Sequence, residues 1–206
     1  MPAYFNLSVQ FRRRDLYPSF VRDFYAKLDE AGMAFQSGYW GFETDSLEET
    51  IEWNQRKLES DFNLGFTEHH SHDYKQAVYG FCGCSEVRGF WMNNYPEHGA
   101  FTYEIIIPEA DVLEEEWPAK FREEKLGEFL GLAGRIWQFP LVKAIQTGLE
   151  GNDASTGFTK LAGGEYPNIC PFAIVEETGV CYEDSMYDIR PLSEGKRGIL
   201  LLKNHS

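Results

Sequence analysis

Residues 3–11 set the tightest constraint on what this chain can fold into. Ala3, Phe5, Leu7, Val9 and Phe11 alternate without a break with Tyr4, Asn6, Ser8 and Gln10. A period of two puts the apolar set on one face of an extended strand and the polar set on the other. Such a strand needs neighbours for its backbone and a partner layer for its apolar face, so the chain must build a sheet with something packed on it.

The period changes after Pro18. Phe20, Val21, Phe24, Tyr25, Leu28 and Ala31 recur at helical spacing, and Gly32 can end the helix. Pro18 suits the helix opening, where its missing N–H has no partner to lose. Phe35–Glu43 reads as a second strand. Ser46 and Glu49 form the Ser-x-x-Glu capping pattern of a second helix, with Leu47, Ile51, Leu58 and Phe62 on one face and Gly65 as its stop. Tyr74–Cys84, Glu86–Asn94 and Ala100–Ile107 read as an antiparallel meander punctuated by turns. Past Pro108 the chain becomes acidic, and Trp117-Pro118 leads into a helix over 119–137 with Leu126, Phe129, Leu130, Ala133, Ile136 and Trp137 as its apolar stripe. A further helix is expected over Leu141–Leu149, then a long polar loop over Gly151–Gly164. Strands return at Ile169–Glu176, Gly179–Tyr182 and Gly198–Lys203.

The predicted order is β-α-β-α-β-β-β-α-α-β-β-β. Runs of strands and helices, rather than strict alternation, predict an α+β fold with a mixed, largely antiparallel sheet and helices packed on it. The 206 residues suit one domain over 1–206, with a soft subdomain boundary near 108–118. Strand order and oligomeric state stay open at this level.

Charge narrows the partners. The chain carries 33 Asp+Glu against 19 Lys+Arg, a formal charge of −14. That surface repels nucleic-acid phosphates and anionic lipid, so neither nucleic acid nor membrane is an expected partner. A basic protein or a cation fits it better, although acidity also serves solubility alone. No run approaches the roughly 18 apolar residues of a membrane span. Arg12, Arg13 and Arg14 follow the first apolar stretch instead of preceding it, the wrong order for a secretory signal. Cytoplasm is therefore the expected location, with Cys82, Cys84, Cys170 and Cys181 reduced.

Few local patterns carry chemistry. Glu68-His69-His70-Ser71-His72-Asp73 packs three of five histidines between carboxylates. In an extended segment His70 and His72 share a face and, with Asp73, offer ligands for zinc or a similar divalent metal. That is the basis of an enzyme alternative, a metal-dependent hydrolase in which the metal acidifies a bound water. The plainer reading is an exposed polar loop, and no His-Glu-x-x-His motif supports the metal. Cys82-Gly83-Cys84 would place two thiols on one strand face, yet it lacks Cys-x-x-Cys spacing. Gln146, Thr147, Gly148 and Glu150 form a polar group able to line a pocket. Trp40, Trp91 and Tyr103 are the aromatic candidates for a small-molecule-binding scaffold.

The most distinctive patch is Glu114-Glu115-Glu116-Trp117. From Glu104 to Glu128 there are nine acids and three bases. Charge of this kind steers a basic partner, and a tryptophan supplies a buried anchor. The plainer reading places the acids at the start of the 119–137 helix, where they favour its dipole. In general character (acidic, aromatic-rich, with no catalytic signature) the chain resembles the immunity proteins of bacterial toxin systems. The resemblance is one of composition and assigns no residue a role. The leading expectation is a non-enzymatic cytoplasmic protein with no cofactor that binds, and inhibits, a basic protein through Glu114, Glu115, Glu116 and Trp117.

Overall fold

The computed structural model describes residues 3–40, 43–60, 74–93, 99–151, 155–177, 182 and 186–203. It has the α+β architecture read from the sequence. Among the described residues twelve strands and five α-helices run as β1 (Tyr4–Arg12), α1 (Phe20–Glu30), β2 (Ala34–Trp40), β3 (Glu43–Asp45), α2 (Leu47–Glu59), β4 (Gln76–Gly80), β5 (Arg88–Met92), β6 (Ala100–Pro108) and α3 (Glu109–Val112). After these come β7 (Leu113–Glu115), β8 (Lys120–Phe121), α4 (Glu123–Trp137), β9 (Val142–Leu149), α5 (Phe158–Ala162), β10 (Phe172–Val175), β11 (Tyr187–Leu192) and β12 (Gly198–Lys203).

Ten strands form one sheet in the order β11-β12-β10-β9-β1-β6-β5-β4-β2-β3, and β7 and β8 form a separate ribbon. The paired strands of the sheet all run antiparallel. The alternating strand β1 lies near the centre, between β6 and β9. Residues 109–118 leave the sheet after Pro108, the last residue of β6, and strands from both sides of that segment belong to it.

The apolar face of β1 meets the helices. Phe5, Leu7, Val9 and Phe11 pack with Phe20, Val21, Phe24 and Leu28 of α1 and with Phe129, Ile136 and Trp137 of α4. Phe11 alone has ring neighbours in Phe20, Phe24, Trp91, Phe101 and Phe139 at 5.1–6.3 Å. Aromatic clusters of this kind bury large apolar areas and dominate the stability of a core. The capping box at α2 is present: Ser46 Oγ accepts from Glu49 N, and Glu49 Oε2 accepts from Ser46 N. Its buried face differs from the expected one, because Leu47 is exposed while Asn54 and Gln55 are buried. Asn54 clasps both polar groups of the Lys75 backbone, and Gln55 accepts from Val21 N and donates to Tyr17 O. The helix stops at Glu59, and Phe62 and Gly65 fall outside the described residues.

Several segments depart from the sequence reading: Tyr187–Leu192, where no strand was expected, is β11, and residues 119–122 of the expected 119–137 helix lie before α4, with Lys120–Phe121 as strand β8. Leu141–Leu149 is not a helix: Val142–Leu149 is strand β9, hydrogen-bonded between β1 and β10. It is covered on both faces, so its apolar residues do not alternate, and Val142, Ile145 and Leu149 mimic helical spacing. The Gly151–Gly164 stretch holds the short helix α5, whose Leu161 joins Ala144, Ala173, Val175 and Leu201 in a second, smaller core. This core covers the β9–β12 side of the face opposite α1, α2 and α4. Among the described residues, no helix is long and apolar enough to cross a membrane.

Candidate functional site

The acidic patch sits on the ribbon rather than at a helix start. Leu113 and Phe121 face each other at its base and are buried, with the Phe121 ring 5.8 Å from Phe5. An isolated two-stranded ribbon is marginal in water, so these anchors hold it up. Residues 116–119 form the turn at its tip. Helix α4 begins only at Glu123, and its first turn takes its negative charge from Glu123 and Glu124. Helix-dipole stabilisation therefore does not account for Glu114, Glu115 and Glu116.

Trp117 stands at that tip with 91% of its surface exposed, the most exposed large hydrophobic side chain among the described residues. Glu114, Glu115 and Glu116 are exposed beside it. Lys120 pairs with Glu114 at 2.7 Å, and its ammonium holds that carboxyl below the ordinary range. An exposed pair of this kind contributes little to stability. Among the described residues, Glu115 and Glu116 have no ion-pair partner. Trp53, by contrast, is half-buried with Arg56, Lys57 and Lys75 over its ring.

A second feature lies on the sheet face opposite α1, α2 and α4. Register places Glu104 of β6, Ser8 of β1 and Gln146 of β9 side by side in one row. All three are buried: Glu104 is 8% exposed, Ser8 2% and Gln146 1%. The loop before and after α5 covers this row. Gln146 Oε1 accepts from the backbone N–H of Thr156 and Asn168, and its Nε2 donates to Thr156 O. Gln10 Nε2 donates to the same carbonyl at 2.9 Å. Glu104 accepts from Asn6 Nδ2 and Ser8 Oγ, each at 2.8 Å. Burial raises the Glu104 carboxyl above its ordinary range, against the opposing pull of its hydrogen bonds from Thr102, Asn6 and Ser8.

Beside this row opens a cleft of about 310 Å³, with Tyr4, Asn6, Ser8, Gln146, Glu150 and Asn168 among its walls. Thr147 and Gly148 also border it, so the polar run singled out from sequence does line a pocket, although on a strand. Sequence reading gave Asn6 and Ser8 no place in a site; their one signal was the polar half of the β1 alternation, which on an ordinary sheet face would simply meet water.

The remaining candidates fall elsewhere. His70, His72 and Asp73 lie outside the described residues. Among the described residues no group of three or more His, Cys, Asp and Glu side chains is placed to hold a metal. Cys82 and Gly83 form a turn with φ of 50° and 64°, so the two thiols of Cys82 and Cys84 do not share a strand face. Trp91 and Tyr103 are buried in the core, and the Trp40 side chain is outside the described set. The arginine run is engaged internally: Arg12 approaches Glu176 and the Phe158 ring, Arg13 donates to Ser60 O, and Arg14 meets Asp15.

Comparison with protein-family models, with curated proteins and with solved structures finds no match to this chain.

Proposed function

We propose that this chain is a non-enzymatic, acidic cytoplasmic protein that docks on a basic protein and inhibits it by occupying its surface. The observation that carries the reading is the 91% exposure of Trp117 at the tip of an anchored ribbon, beside three exposed glutamates. A large apolar ring in water contributes nothing to this fold, whereas on contact it offers the rigid, low-entropy anchor typical of interface hot spots. Lys120 is the one cation of the ribbon's strands against Glu114, Glu115 and Glu116, and the chain as a whole carries −14. The long-range field and the local patch therefore have the same sign and draw the same kind of partner.

The test separates steering from anchoring. Parent protein, Trp117→Ala and the triple charge reversal Glu114→Lys/Glu115→Lys/Glu116→Lys are used to capture proteins from lysate of the source cell at low and high salt. Association and dissociation rates are then measured on the captured protein. The triple variant should slow association about tenfold or more at low salt and lose most of its salt dependence. Trp117→Ala should act mainly on dissociation, weakening the complex by about 2 kcal/mol or more. Both variants should unfold at the parent temperature. Equal capture and equal rates for all three proteins would falsify the ribbon as the docking element.

A further inference from the structure

Glu104 is the unexplained group in this structure. A buried carboxylate ordinarily has a cationic partner, because its desolvation is otherwise uncompensated. Glu104 has none among the described residues; its hydrogen bonds come from Asn6, Ser8 and Thr102. Arg88, one register row away on the neighbouring strand, is engaged by Glu86, Gln76 and the Tyr4 hydroxyl. The loop that covers the row is held by Gln146 and Gln10, so closing that loop does not require Glu104.

The surroundings share one chemical bias. Asn6 gives its N–H to Glu104, and its carbonyl oxygen Oδ1 is buried without a partner. On the same sheet face, outside the cleft walls, Gln10, 3% exposed, gives its N–H to Thr156 O and likewise leaves Oε1 buried without a partner. Buried polar atoms are rarely left unsatisfied, and these two are both acceptors in need of a donor. Among the described residues no lysine or arginine lines the cleft, while Glu150 borders it, and Glu104, although not on its wall, is hydrogen-bonded to the wall residues Asn6 and Ser8. The site is thus built of carboxylate, amide carbonyl and hydroxyl oxygens around a volume near the small end of ligand pockets.

We propose that this cleft binds a primary ammonium group, with Glu104 as its charge partner and Asn6 and Ser8 as its polar contacts. An ammonium carries three N–H donors and one positive charge, the complement of what the cleft presents. The group is supplied either by a small free amine or by a lysine side chain of another protein. This site is separate from the ribbon, and its binding does not depend on the docking role proposed for Trp117.

The probe is n-butylammonium, the lysine side chain without its backbone, titrated into ¹⁵N-labelled protein and followed by amide shifts. Saturable shifts are expected at residues 6–8, 104–106 and 146–150, with none from uncharged 1-pentanol or from butyrate. Glu104→Gln, of the same shape, should weaken binding at least about tenfold. Glu150→Gln, at an exposed position, should weaken it roughly two- to threefold and keeps the test decisive where Glu104→Gln does not fold. Trp117→Ala should bind the amine as the parent does, so failure of the ribbon and failure of the cleft are read separately. The blocked tripeptide acetyl-Gly-Lys-Gly-amide identifies the source. Competition with n-butylammonium assigns the cleft to a protein lysine, and binding of n-butylammonium without competition assigns it to a free amine. The proposal is overturned by an absence of saturable shifts, or by equal affinity in the parent, Glu104→Gln and Glu150→Gln.

Discussion

Gly89 is held small by a single buried ring. It lies in β5 between Ile105 and Ala77 of its neighbour strands. A Cβ there would come within 2.2 Å of Tyr103 Oη, 2.6 Å of its Cζ and 2.8 Å of its Cε1. Tyr103 has nowhere to go: it is fully buried, its ring is 4.6 Å from Trp91 and 5.2 Å from Phe24, and its hydroxyl is 2.7 Å from that of Tyr79. Gly89→Ala should therefore displace Tyr103 and break the tyrosine pair. Overpacking a rigid core costs about 1–3 kcal/mol, and stranding buried hydroxyls adds about 1–3 kcal/mol. Against this, alanine recovers about 0.5–1 kcal/mol of backbone entropy. The net expectation is a loss of about 2–4 kcal/mol, on the order of 10 °C in unfolding temperature for a chain of this size. Urea unfolding followed by tryptophan fluorescence measures it. Tyr103→Phe removes the same hydroxyl pair, so the double variant should fall short of additivity by about 1 kcal/mol. A Gly89→Ala loss below about 0.5 kcal/mol, or an additive cycle, would refute this account of the core.

Two further outcomes follow from titrating groups. The folded chain holds the Glu104 proton more tightly than the unfolded chain, so the associated stability is present below the ordinary value of 4.5 and is lost as pH rises through the raised folded value. Urea midpoints measured upward from pH 4 should fall more steeply for the parent than for Glu104→Gln, and parallel curves would contradict the burial of a titrating carboxyl. Burial also lifts the Cys84 thiol from 9.0 to about 11, with Asp111 and Cys82 adding to the rise against Lys125. Iodoacetamide at pH 8 should then modify Cys84 on the order of 100-fold more slowly in the folded chain than in urea, as read by tandem mass spectrometry.

What the sequence makes legible is the helix face of the sheet. The alternation of β1, the helical spacing of α1 and α4, and the Ser46–Glu49 box each rest on a local rule with an unambiguous period. Strand β9 is illegible for the opposite reason. Buried on both faces, it mixes Val142, Ala144 and Ile145 with Gln146 and Thr147, and no alternation survives. The ribbon is hidden because its strands have three and two residues, below any periodic signal. The acidic patch was visible as composition, but its position at a tip depends on the burial of Leu113 and Phe121, a long-range fact. The cleft is hidden in the same way, since Glu104, Ser8 and Gln146 become neighbours only through strand register.

The two candidate surfaces stand in different relations to the fold, and that decides how each can be interrogated. Trp117 and the three glutamates are exposed beyond the ribbon's buried base, so they can be substituted without touching the core. The cleft is made from the sheet itself. Gln146 satisfies the backbone of Thr156 and Asn168 much as a neighbouring strand would, so removing it opens the loop and the cleft together. Glu104 lies between these cases: it is buried, yet the loop is held without it. Its isosteric amide can still accept from Ser8, and the idle Asn6 Oδ1 can accept from the new NH₂ once the Asn6 amide turns over. Glu104→Gln thus removes the charge and, through the turned Asn6 amide, one acceptor of the cleft, while Gln146 and Gln10 still hold the loop, which makes the loss of ammonium binding in that variant a statement about the site rather than about folding.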